Sequence, residues 1–485
     1  MNANLIRSVI YITALCALYL SMAMFLPALV DLYYGHRDWQ VFALSGFLVG
    51  GIAGAAALAT RGPPPAFNKR FGFLLVNVLW LMFSLVGAIP LFLAEYKTSF
   101  AQALFESISG ITTTGSTIMV GLDKQPPGIL LWRSLLCWLG GIGIVGLGLF
   151  VLPFLKVGGA SIFKLESTET NDKPFARLAS FTRAFLAVYI LLTIACTVAY
   201  DVAGMSHFDA LNHALSTVAT AGFSTHDASF AFWKDNQAIL VICTIFLTIS
   251  SLPFSVLILL AMRGRLDTLR DPQIMVFLGY LGGIAVALGV YHHLRNSVEL
   301  DDALVHSFFN IASILSTGGF SSDDYTLWGP FAVMLVFFAS AMGGCSGSTS
   351  GGIKSYRFVV MFNTARAGIN KLIYPNAIYP VRYGTLIVDA DTQRGVFLFL
   401  GLFLFLWVLG SLGMTLLGYD VVTSFSGVLT CLANVGPGIG HIIGPVGNFS
   451  TISDPALYLL SVLMLLGRLE ILTVLVLLTP IFWRH

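Results

Sequence analysis

Charged residues are scarce in this chain of 485 residues. Asp, Glu, Lys and Arg make up only 10% of it, whereas an average soluble domain contains about 25%. A folded soluble protein of this length could not cover its surface with so few charges. The deficit excludes a soluble enzyme, a nucleic-acid binder and a disordered chain, and it favours a polytopic helical membrane protein that contacts membrane lipid.

Paired cysteines and metal-binding motifs are also missing. The six cysteines lie singly in apolar runs, without a CxxC pair, and the nine histidines form no HExxH pattern. Neither a zinc site nor a redox pair is indicated, so the cysteines are interpreted as small buried hydrophobic residues. The sequence therefore predicts no cofactor in this chain and no enzyme activity.

Long apolar runs take the place of charge, since 56% of the residues are hydrophobic. A membrane-spanning helix needs about 20 apolar residues. That length predicts ten crossings, with both termini on the same side of the membrane. The predicted spans are 8–31, 39–60, 71–94, 128–155, 179–203, 233–262, 272–294, 327–345, 394–418 and 454–481.

Four shorter segments lie between the members of successive pairs of these spans. Each is too short to cross a membrane and ends in a polar, glycine-containing turn. Such a pattern is typical of a half-helix that enters the membrane and returns as extended backbone. The four segments cover residues 99–113, 206–220, 301–317 and 421–434.

The four segments form an internal repeat. Each turn contains one glycine, called the marker glycine below. A Thr or Asn stands two residues before the marker glycine, and a Ser or Thr stands six residues before it. The glycines are Gly115, Gly222, Gly319 and Gly436; the preceding residues are Thr113, Thr220, Thr317 and Asn434; the hydroxyl residues are Ser109, Ser216, Ser313 and Thr430.

Each repeat reads as helix, re-entrant loop, helix, so all four have the same orientation. Four parallel repeats predict an all-α membrane protein with a pseudo-fourfold arrangement around one pore, rather than an inverted-repeat transporter. The predicted units are a two-helix extension (1–65) and repeats 1 to 4 (66–165, 166–268, 269–372 and 373–485).

The few charges are sorted by side. Of the 26 basic residues only six fall on the side of the four turns, and most of the others lie in the links on the opposite side. By the positive-inside rule those links and both termini are cytoplasmic. The six basic residues are Arg37, Lys97, Lys124, Arg133, Lys234 and Arg295.

Asp209 and His213 lie on one helix face near the same side of the membrane. They are expected to be solvated residues at the mouth of the pore.

Four extended loops on one axis would present rings of backbone carbonyls, which replace the hydration shell of a cation. Glycine at each turn reaches backbone angles that are closed to other residues. The preceding half-helices would direct their negative ends toward the membrane centre. The residues therefore predict a cation-conducting pore.

These turns resemble the four filter loops of the TrkH/TrkG/KtrB/HKT superfamily of K⁺ transporters. The matching strings are TTTG (112–115), TAGF (220–223), TGGF (317–320) and NVGPG (434–438), with GFSTHD (222–227) and GRLE (467–470) beside them. The resemblance covers essentially the whole chain. Its length and the extra N-terminal helix pair are closest to the TrkH/TrkG branch.

The resemblance implies a K⁺ selectivity filter and K⁺ as the transported ion. Glycine at Gly115, where Na⁺-preferring relatives have Ser, implies K⁺ preference. The implied filter residues are Thr113, Thr114, Gly115, Thr220, Ala221, Gly222, Thr317, Gly318, Gly319, Asn434, Val435 and Gly436. The implied K⁺ ligands are Thr113, Thr114, Thr220, Ala221, Thr317, Gly318, Asn434 and Val435.

A glycine- and serine-rich break at 343–352 interrupts the third repeat. So many Gly and Ser residues do not hold a stable helix, and irregular backbone at membrane depth must be buried or line a cavity. We expect an intramembrane gating loop, as the resemblance also implies; a packed structural kink is the alternative. Its glycines are Gly343, Gly344, Gly347, Gly351 and Gly352.

Arg468 lies within an apolar segment, where a charge is costly. We expect it to project below the filter as a positive barrier, and a structural ion pair is the alternative. Glu470 is two residues away and does not share its helix face, so the two are not expected to pair.

The resemblance further implies a homodimer and a separate cytosolic TrkA-type subunit that binds NAD(H) or ATP/ADP, docked on the link 156–178 and on the stretch after Lys354. It implies a multi-pass protein of the bacterial inner membrane. A membrane enzyme is disfavoured because the apolar segments have few acids. K⁺ symport coupled to H⁺ or Na⁺ stays open as an alternative to a channel-like pore.

Overall fold

The computed structural model describes residues 3–62, 68–146 and 174–483, which are mostly helical. The first helices are α1 (Ala3–Ala23), α2 (Phe25–Tyr34), α3 (Trp39–Thr60), α4 (Lys69–Leu93), α5 (Phe100–Ile111), α6 (Pro127–Gly146), α7 (Pro174–Val202), α8 (His207–Val218), α9 (Gln237–Ser250) and α10 (Phe254–Arg263). They are followed by α11 (Pro272–Asn296), α12 (Leu300–Leu315), α13 (Pro330–Ala341), α14 (Ser355–Ile373), α15 (Ala390–Leu416), α16 (Val421–Ala433), α17 (Asp454–Arg468), α18 (Ile471–Leu478) and α19 (Pro480–Trp483). A two-stranded antiparallel hairpin, β1 (Arg382–Tyr383) and β2 (Leu386–Ile387), lies between α14 and α15.

Seven helical stretches among the described residues are long and apolar enough to cross a membrane. They are Asn4–Tyr34, Trp39–Thr60, Lys69–Leu93, Pro127–Gly146, Ser180–Val202, Pro272–Asn296 and Ala390–Leu416. Two bent helix pairs raise the number to nine if each pair is one span. The ten crossings stay a prediction, and residues 147–155 of the fourth predicted span lie outside the described part.

Two segments predicted as single helices are sharply bent. The axes of α9 and α10 differ by 99°, and those of α17 and α18 differ by 110°. Pro253 explains the first bend, because it lacks a backbone donor and disfavours helical geometry in the residue before it. At the second bend Glu470 has a φ of +59°, which takes the backbone out of the helix.

Three of the four short helices, α5, α8 and α16, begin at a side-chain N-cap, whereas Glu299 before α12 makes no such hydrogen bond. Ser99, Ser206 and Asp420 each accept a hydrogen bond from a backbone N–H in the first turn, at 3.2, 3.1 and 3.0 Å respectively. Such N-caps satisfy donors that the helix itself cannot pair.

The helices pack in a cyclic order. The helix that follows each short helix contacts the short helix of the next repeat, so that α6 packs on α8, α9 on α12, and α13 on α16. The last contact returns to the beginning, because α17 packs on α5. This closed series of contacts brings the ends of the four short helices together.

The third repeat is interrupted where the glycine-rich break was predicted. Helix α13 ends at Ala341 and α14 begins at Ser355. Between them the chain folds back on itself, and Met342 and Ile353 form an isolated parallel β-bridge.

Candidate functional site

The four short helices end in the same turn. The residue two before each marker glycine has a left-handed backbone, with φ of 51° at Thr113, 52° at Thr220, 60° at Thr317 and 57° at Asn434. Asn tolerates this region, but a β-branched Thr there is an outlier that costs about 1–3 kcal/mol. Strain repeated at three equivalent positions indicates that the turns are held by their surroundings.

The next residue in each turn closes the helix end. Its N–H donates to the carbonyl of the hydroxyl residue that the repeat places six before the marker glycine. The N–O distances are 2.8 Å for Thr114 to Ser109, 2.8 Å for Ala221 to Ser216, 2.7 Å for Gly318 to Ser313 and 2.9 Å for Val435 to Thr430. This wide turn is a common helix-ending motif, here repeated four times in register.

The marker glycines are required for two different reasons. Gly115, Gly319 and Gly436 have φ of 80°, 72° and 110°, as the sequence predicted. Gly222 has no such angle, so the expectation that backbone freedom explains all four is wrong. At Gly222 the reason is close approach, since a Cβ there would lie 2.8 Å from the carbonyl oxygen of Gly318.

The four turns touch one another in a closed cycle. A Cβ on Gly115 would lie 2.4 Å from the backbone nitrogen of Gly222, and one on Gly319 would lie 2.2 Å from the carbonyl oxygen of Val435. A Cβ on Gly436 would lie 2.8 Å from the carbonyl oxygen of Thr114, which returns the cycle to the first turn. A side chain at these positions would therefore push neighbouring turns apart.

Turns 1 and 4 are also tied by side chains. Asn434 Nδ2 donates to Thr114 Oγ1 and to the carbonyl oxygen of Met464, both at 3.0 Å. Ser116 Oγ donates to the carbonyl oxygen of Gly436 at 3.0 Å. The four marker glycines border a polar cleft of about 520 Å³, which Arg133, Ser224, His226 and Asp227 also line.

The loop 343–352 lies against the turns from the helix side. Its backbone donates from Gly351 to Thr317 Oγ1 at 2.6 Å and from Gly352 to the carbonyl oxygen of Ala433 at 2.7 Å. Thr220 Oγ1 donates to Thr349 Oγ1 at 3.1 Å. The loop therefore contacts the second, third and fourth turns.

The broken helix pair α9–α10 holds the loop from another side. The carbonyl oxygen of Ser251 accepts from the N–H of Cys345, and the N–H of Phe254 donates to the carbonyl oxygen of Gly347, both at 2.9 Å. The bend frees backbone groups that the loop then satisfies, as unpaired backbone at membrane depth requires.

All five predicted glycines of this loop have a structural reason. Gly347 and Gly352 have φ of 78° and 67°. Gly343 and Gly351 are closely approached, since added Cβ atoms would lie 2.1 Å from the Gly351 carbonyl oxygen and 2.6 Å from that of Ala433. A Cβ on Gly344 would lie 2.6 Å from Ser350 Oγ.

Arg468 is the last residue of α17 and is only 3% exposed. Its Nη2 donates to the carbonyl oxygen of Thr349 at 2.9 Å, whereas Nε and Nη1 have no protein partner in the described part of the chain. As expected, Glu470 does not pair with it, because Glu470 binds the guanidinium of Arg357.

No role was predicted from the sequence for two cations that lie just after the loop, Lys354 and Arg357. Lys354 Nζ donates to the carbonyl oxygen of Ser350, and the guanidinium of Arg357 stacks 3.6 Å from the centre of the Phe399 ring. Lys354, Arg468 and Glu470 line one cleft of about 500 Å³ together with the loop. The spacing of Lys354 and Arg357 directly after the glycine-rich break was the available signal.

Arg133, one of the six basic residues counted on the side of the four turns, lies inside α6 and within the predicted span 128–155. It is 1% exposed, and its Nε donates to Glu106 Oε1 at 2.7 Å. The sequence offered no hydrophobic-pattern reason to pair it with Glu106.

His213 is likewise buried rather than solvated, with 0% of its surface exposed. Its Nε2 hydrogen-bonds Ser224 Oγ at 2.9 Å. Asp209 is half-buried and accepts from Thr225 Oγ1 at 2.6 Å.

His226 follows the second turn and contacts one carboxylate of the first repeat and one of the second. Its ring hydrogen-bonds Asp123, lies 3.5 Å from Asp209 Oδ1, and stacks on Phe232 with ring centres 3.8 Å apart. Burial by itself lowers the pKa of His226, but the neighbouring carboxylates of Asp209 and Asp123 outweigh it and raise that pKa above its ordinary value. The protonated ring therefore favours this contact between turns.

Comparisons with known proteins agree with this architecture. The sequence profile of the TrkH family, described as a cation transport protein, matches residues 40–290 and 284–483. The Trk system potassium uptake protein TrkI of Halomonas elongata is 40% identical over 478 residues, covering 98% of this chain and 97% of the relative. The Trk system potassium uptake protein TrkG of Escherichia coli is 34% identical over 488 residues, covering all of both chains.

The fold is also similar to a solved one. The crystal structure of the potassium transporter TrkH from Vibrio parahaemolyticus superposes with a TM-score of 0.91 at 34% identity, covering 99% of this chain and 100% of that one. Together with the apolar helices, these matches identify a multi-pass membrane protein. The chain belongs to the TrkH family of cation transport proteins.

Proposed function

We propose that this chain mediates K⁺ uptake across the bacterial inner membrane through a channel-like pore. The observation that carries the proposal is the closed cycle of four equivalent turns, each entered from the end of a short helix. The negative helix ends favour a cation at the centre, and extended backbone supplies carbonyl oxygens for it. The similar proteins are named as potassium uptake proteins.

The twelve residues of the four turns form the selectivity filter in this proposal, at the axis of a pseudo-fourfold arrangement. K⁺ is held by oxygens of each strained residue and of the residue that follows it, which are Thr113 and Thr114, Thr220 and Ala221, Thr317 and Gly318, and Asn434 and Val435. The preference for K⁺ follows from Gly115, because any side chain there would contact Gly222 and displace the second turn.

The loop 343–352 is the gate, held closed in this arrangement. It touches three of the four turns on the helix side, and Arg468 binds its Thr349 carbonyl from below. A positive charge directly behind a cation filter raises the barrier for K⁺. Opening therefore requires the loop to leave the turns and Arg468 to move with it or release it.

The topology that accompanies this proposal places both termini in the cytoplasm and the polar cleft outside. A homodimer and a TrkA-type nucleotide-binding subunit on the cytoplasmic face complete the assembly. Most of the link 156–178, one of the two docking segments named above, lies outside the described residues.

Growth at low K⁺ in a bacterial strain without its own K⁺ uptake systems tests the proposal. Wild type restores growth, and Gly319→Ala does not, because its Cβ would lie 2.2 Å from the Val435 carbonyl oxygen. Gly264→Ala is the matched control, since φ is also positive there (+62°) but nothing lies within 4 Å. Failure of wild type, or equal growth of the two variants, contradicts the proposal.

A further inference from the structure

A buried ion pair stands directly behind the first two turns. Glu106 of α5 and Arg133 of α6 are each 1% exposed, with 2.7 Å between Arg133 Nε and Glu106 Oε1. Buried charges are retained at a cost unless every polar atom is paired. A hydrophobic pair of similar volume would often stabilise a fold as well, so the charges call for another explanation.

Every polar atom of this pair is satisfied by the turns. Glu106 Oε1 also accepts from Thr117 Oγ1, and Oε2 accepts from the N–H of Ile118, both at 2.9 Å. Arg133 Nη1 donates to the carbonyl oxygen of Ser224 at 3.0 Å, and Nη2 donates to Thr117 Oγ1 at 3.1 Å.

These partners occupy equivalent places in two turns. Thr117 and Ser224 are each two residues beyond the marker glycine of their turn, and Ile118 is the next residue along. The guanidinium also lies 4.1 Å from the centre of the Phe223 ring, between the two turns. The ion pair therefore fixes the distance between the segments that follow the marker glycines of turns 1 and 2.

The other repeats brace their turns with neutral groups. The position of Glu106, nine residues before the marker glycine, is occupied by His213, Asn310 and Gly427. His213 Nε2 hydrogen-bonds Ser224 Oγ at 2.9 Å, and Asn310 Nδ2 donates to Ser322 Oγ at 3.0 Å.

In the fourth repeat the neighbouring Ser426 replaces the missing side chain of Gly427, and its Oγ accepts from the N–H of Ile439 at 3.0 Å. Each turn thus has a brace from its own short helix. Among these braces only that of the first repeat consists of charged groups, and only that one joins two turns through a side chain of the following helix.

We infer that Glu106 and Arg133 are positioning residues that set the cation selectivity of the four-turn site. The inference rests on the proposed function. Discrimination between cations depends on where the carbonyl oxygens stand, and charge-assisted hydrogen bonds hold their partners more tightly than neutral ones. Loosening this brace lets turns 1 and 2 adjust around a smaller ion.

Selectivity of rubidium-tracer uptake by proteoliposomes tests this inference. The measured quantity is the preference for K⁺, defined as the Na⁺ concentration divided by the K⁺ concentration that competes equally with the tracer, for purified wild type, Glu106→Gln and Arg133→Lys. Both variants should lower this preference for K⁺ about tenfold, as expected for the loss of a charge-assisted buried bond. Thr117→Val is a second test in case the charge variants fail to fold, because it removes the hydroxyl that both charged groups contact and leaves the charges in place. It should also lower the preference for K⁺ over Na⁺.

Asp31→Asn is the matched control. Asp31 is also a buried carboxylate, but it accepts from the N–H of Gly128 at the start of α6, at 2.6 Å, rather than from a turn. It should keep the selectivity of wild type. Wild-type selectivity in every folded brace variant overturns the inference and leaves the proposed function standing, whereas a wild type without K⁺ flux overturns both.

Discussion

Arg468 Nη2 donates a hydrogen bond to the carbonyl oxygen of Thr349 at 2.9 Å, which joins the end of α17 to the loop beneath the turns. Thr349 in turn bonds upward, because its Oγ1 donates to the carbonyl oxygens of Val218 and Ser250, each at 3.2 Å. One residue of the loop is therefore held from both sides. The loop is mostly buried and is held by several hydrogen bonds.

Removal of the Arg468 side chain should open the proposed K⁺ pathway. Arg468→Ala deletes both the positive charge and the bond to Thr349, so K⁺ uptake should rise several-fold in a K⁺-uptake-deficient strain, where about 1.4 kcal/mol of barrier corresponds to tenfold in rate. Arg37→Ala, at an exposed position between α2 and α3, is the control and should behave as wild type. Unchanged or lost K⁺ uptake at normal expression would contradict the proposal that Arg468 is a barrier to K⁺.

A methyl group on the loop should have a related effect. The Cβ of Gly351→Ala would lie 2.6 Å from the Ala433 carbonyl oxygen and 3.0 Å from Asn434 Cβ. The loop then cannot pack against the fourth turn. K⁺ flux into proteoliposomes that lack a regulatory subunit should therefore be higher for this variant than for wild type. Gly368→Ala adds a methyl group in open space and should not change the flux. Equal flux in the two variants would show that the loop does not obstruct the pathway.

A side chain at the first marker glycine should weaken discrimination between cations. Gly115→Ser places its Cβ 2.4 Å from the nitrogen of Gly222 and therefore shifts the second turn. Na⁺ should then compete better with K⁺ in transport assays.

Gly121→Ser separates strain from contact. Gly121 has a similar φ of +73°, but nothing lies within 4 Å of its added Cβ. It should carry only the backbone cost of about 1–2 kcal/mol and keep wild-type competition. If Gly115→Ser competes as wild type does, the filter assignment of this turn is wrong.

The contact between His226 and its two carboxylates should make stability depend on pH. Because the pKa of His226 is raised in the folded protein, the contact contributes fully below the ordinary pKa of histidine and is lost as pH rises through the raised value. Its contribution should be at most about 1 kcal/mol.

Thermal unfolding of the purified protein at a series of pH values measures this effect. Wild type should lose stability relative to His226→Gln as pH rises from the ordinary pKa of histidine, about 6.5, through the raised value. Parallel curves for the two proteins would contradict the contact.

The repeat was predictable because each turn is a local event. A left-handed residue, a wide helix-ending bond and a marker glycine all fall within seven residues, so similar residue types recur at the same spacing before Gly115 and before Gly436. The interruption near Gly343 was predictable for a similar reason, since composition alone destabilises a helix there.

Contacts between distant residues left no such trace. Arg133 and Ser224 are 91 positions apart, and the sequence identified Arg133 only as a basic residue on the side of the four turns. The bend at Glu470 has no Pro and depends on the packing of α17, where a Cβ on Gly467 would lie 1.9 Å from the Leu432 carbonyl oxygen. Tertiary packing decided both features.

The most direct test of K⁺ conduction through the four turns is the zero-current potential of the purified protein in proteoliposomes with a K⁺ gradient and an opposing Na⁺ gradient. We predict that it lies near the K⁺ equilibrium potential, does not move with an imposed pH gradient, and shifts toward the Na⁺ value in Gly115→Ser. A potential that follows the H⁺ or Na⁺ gradient would instead identify a coupled symporter and contradict a channel-like pore.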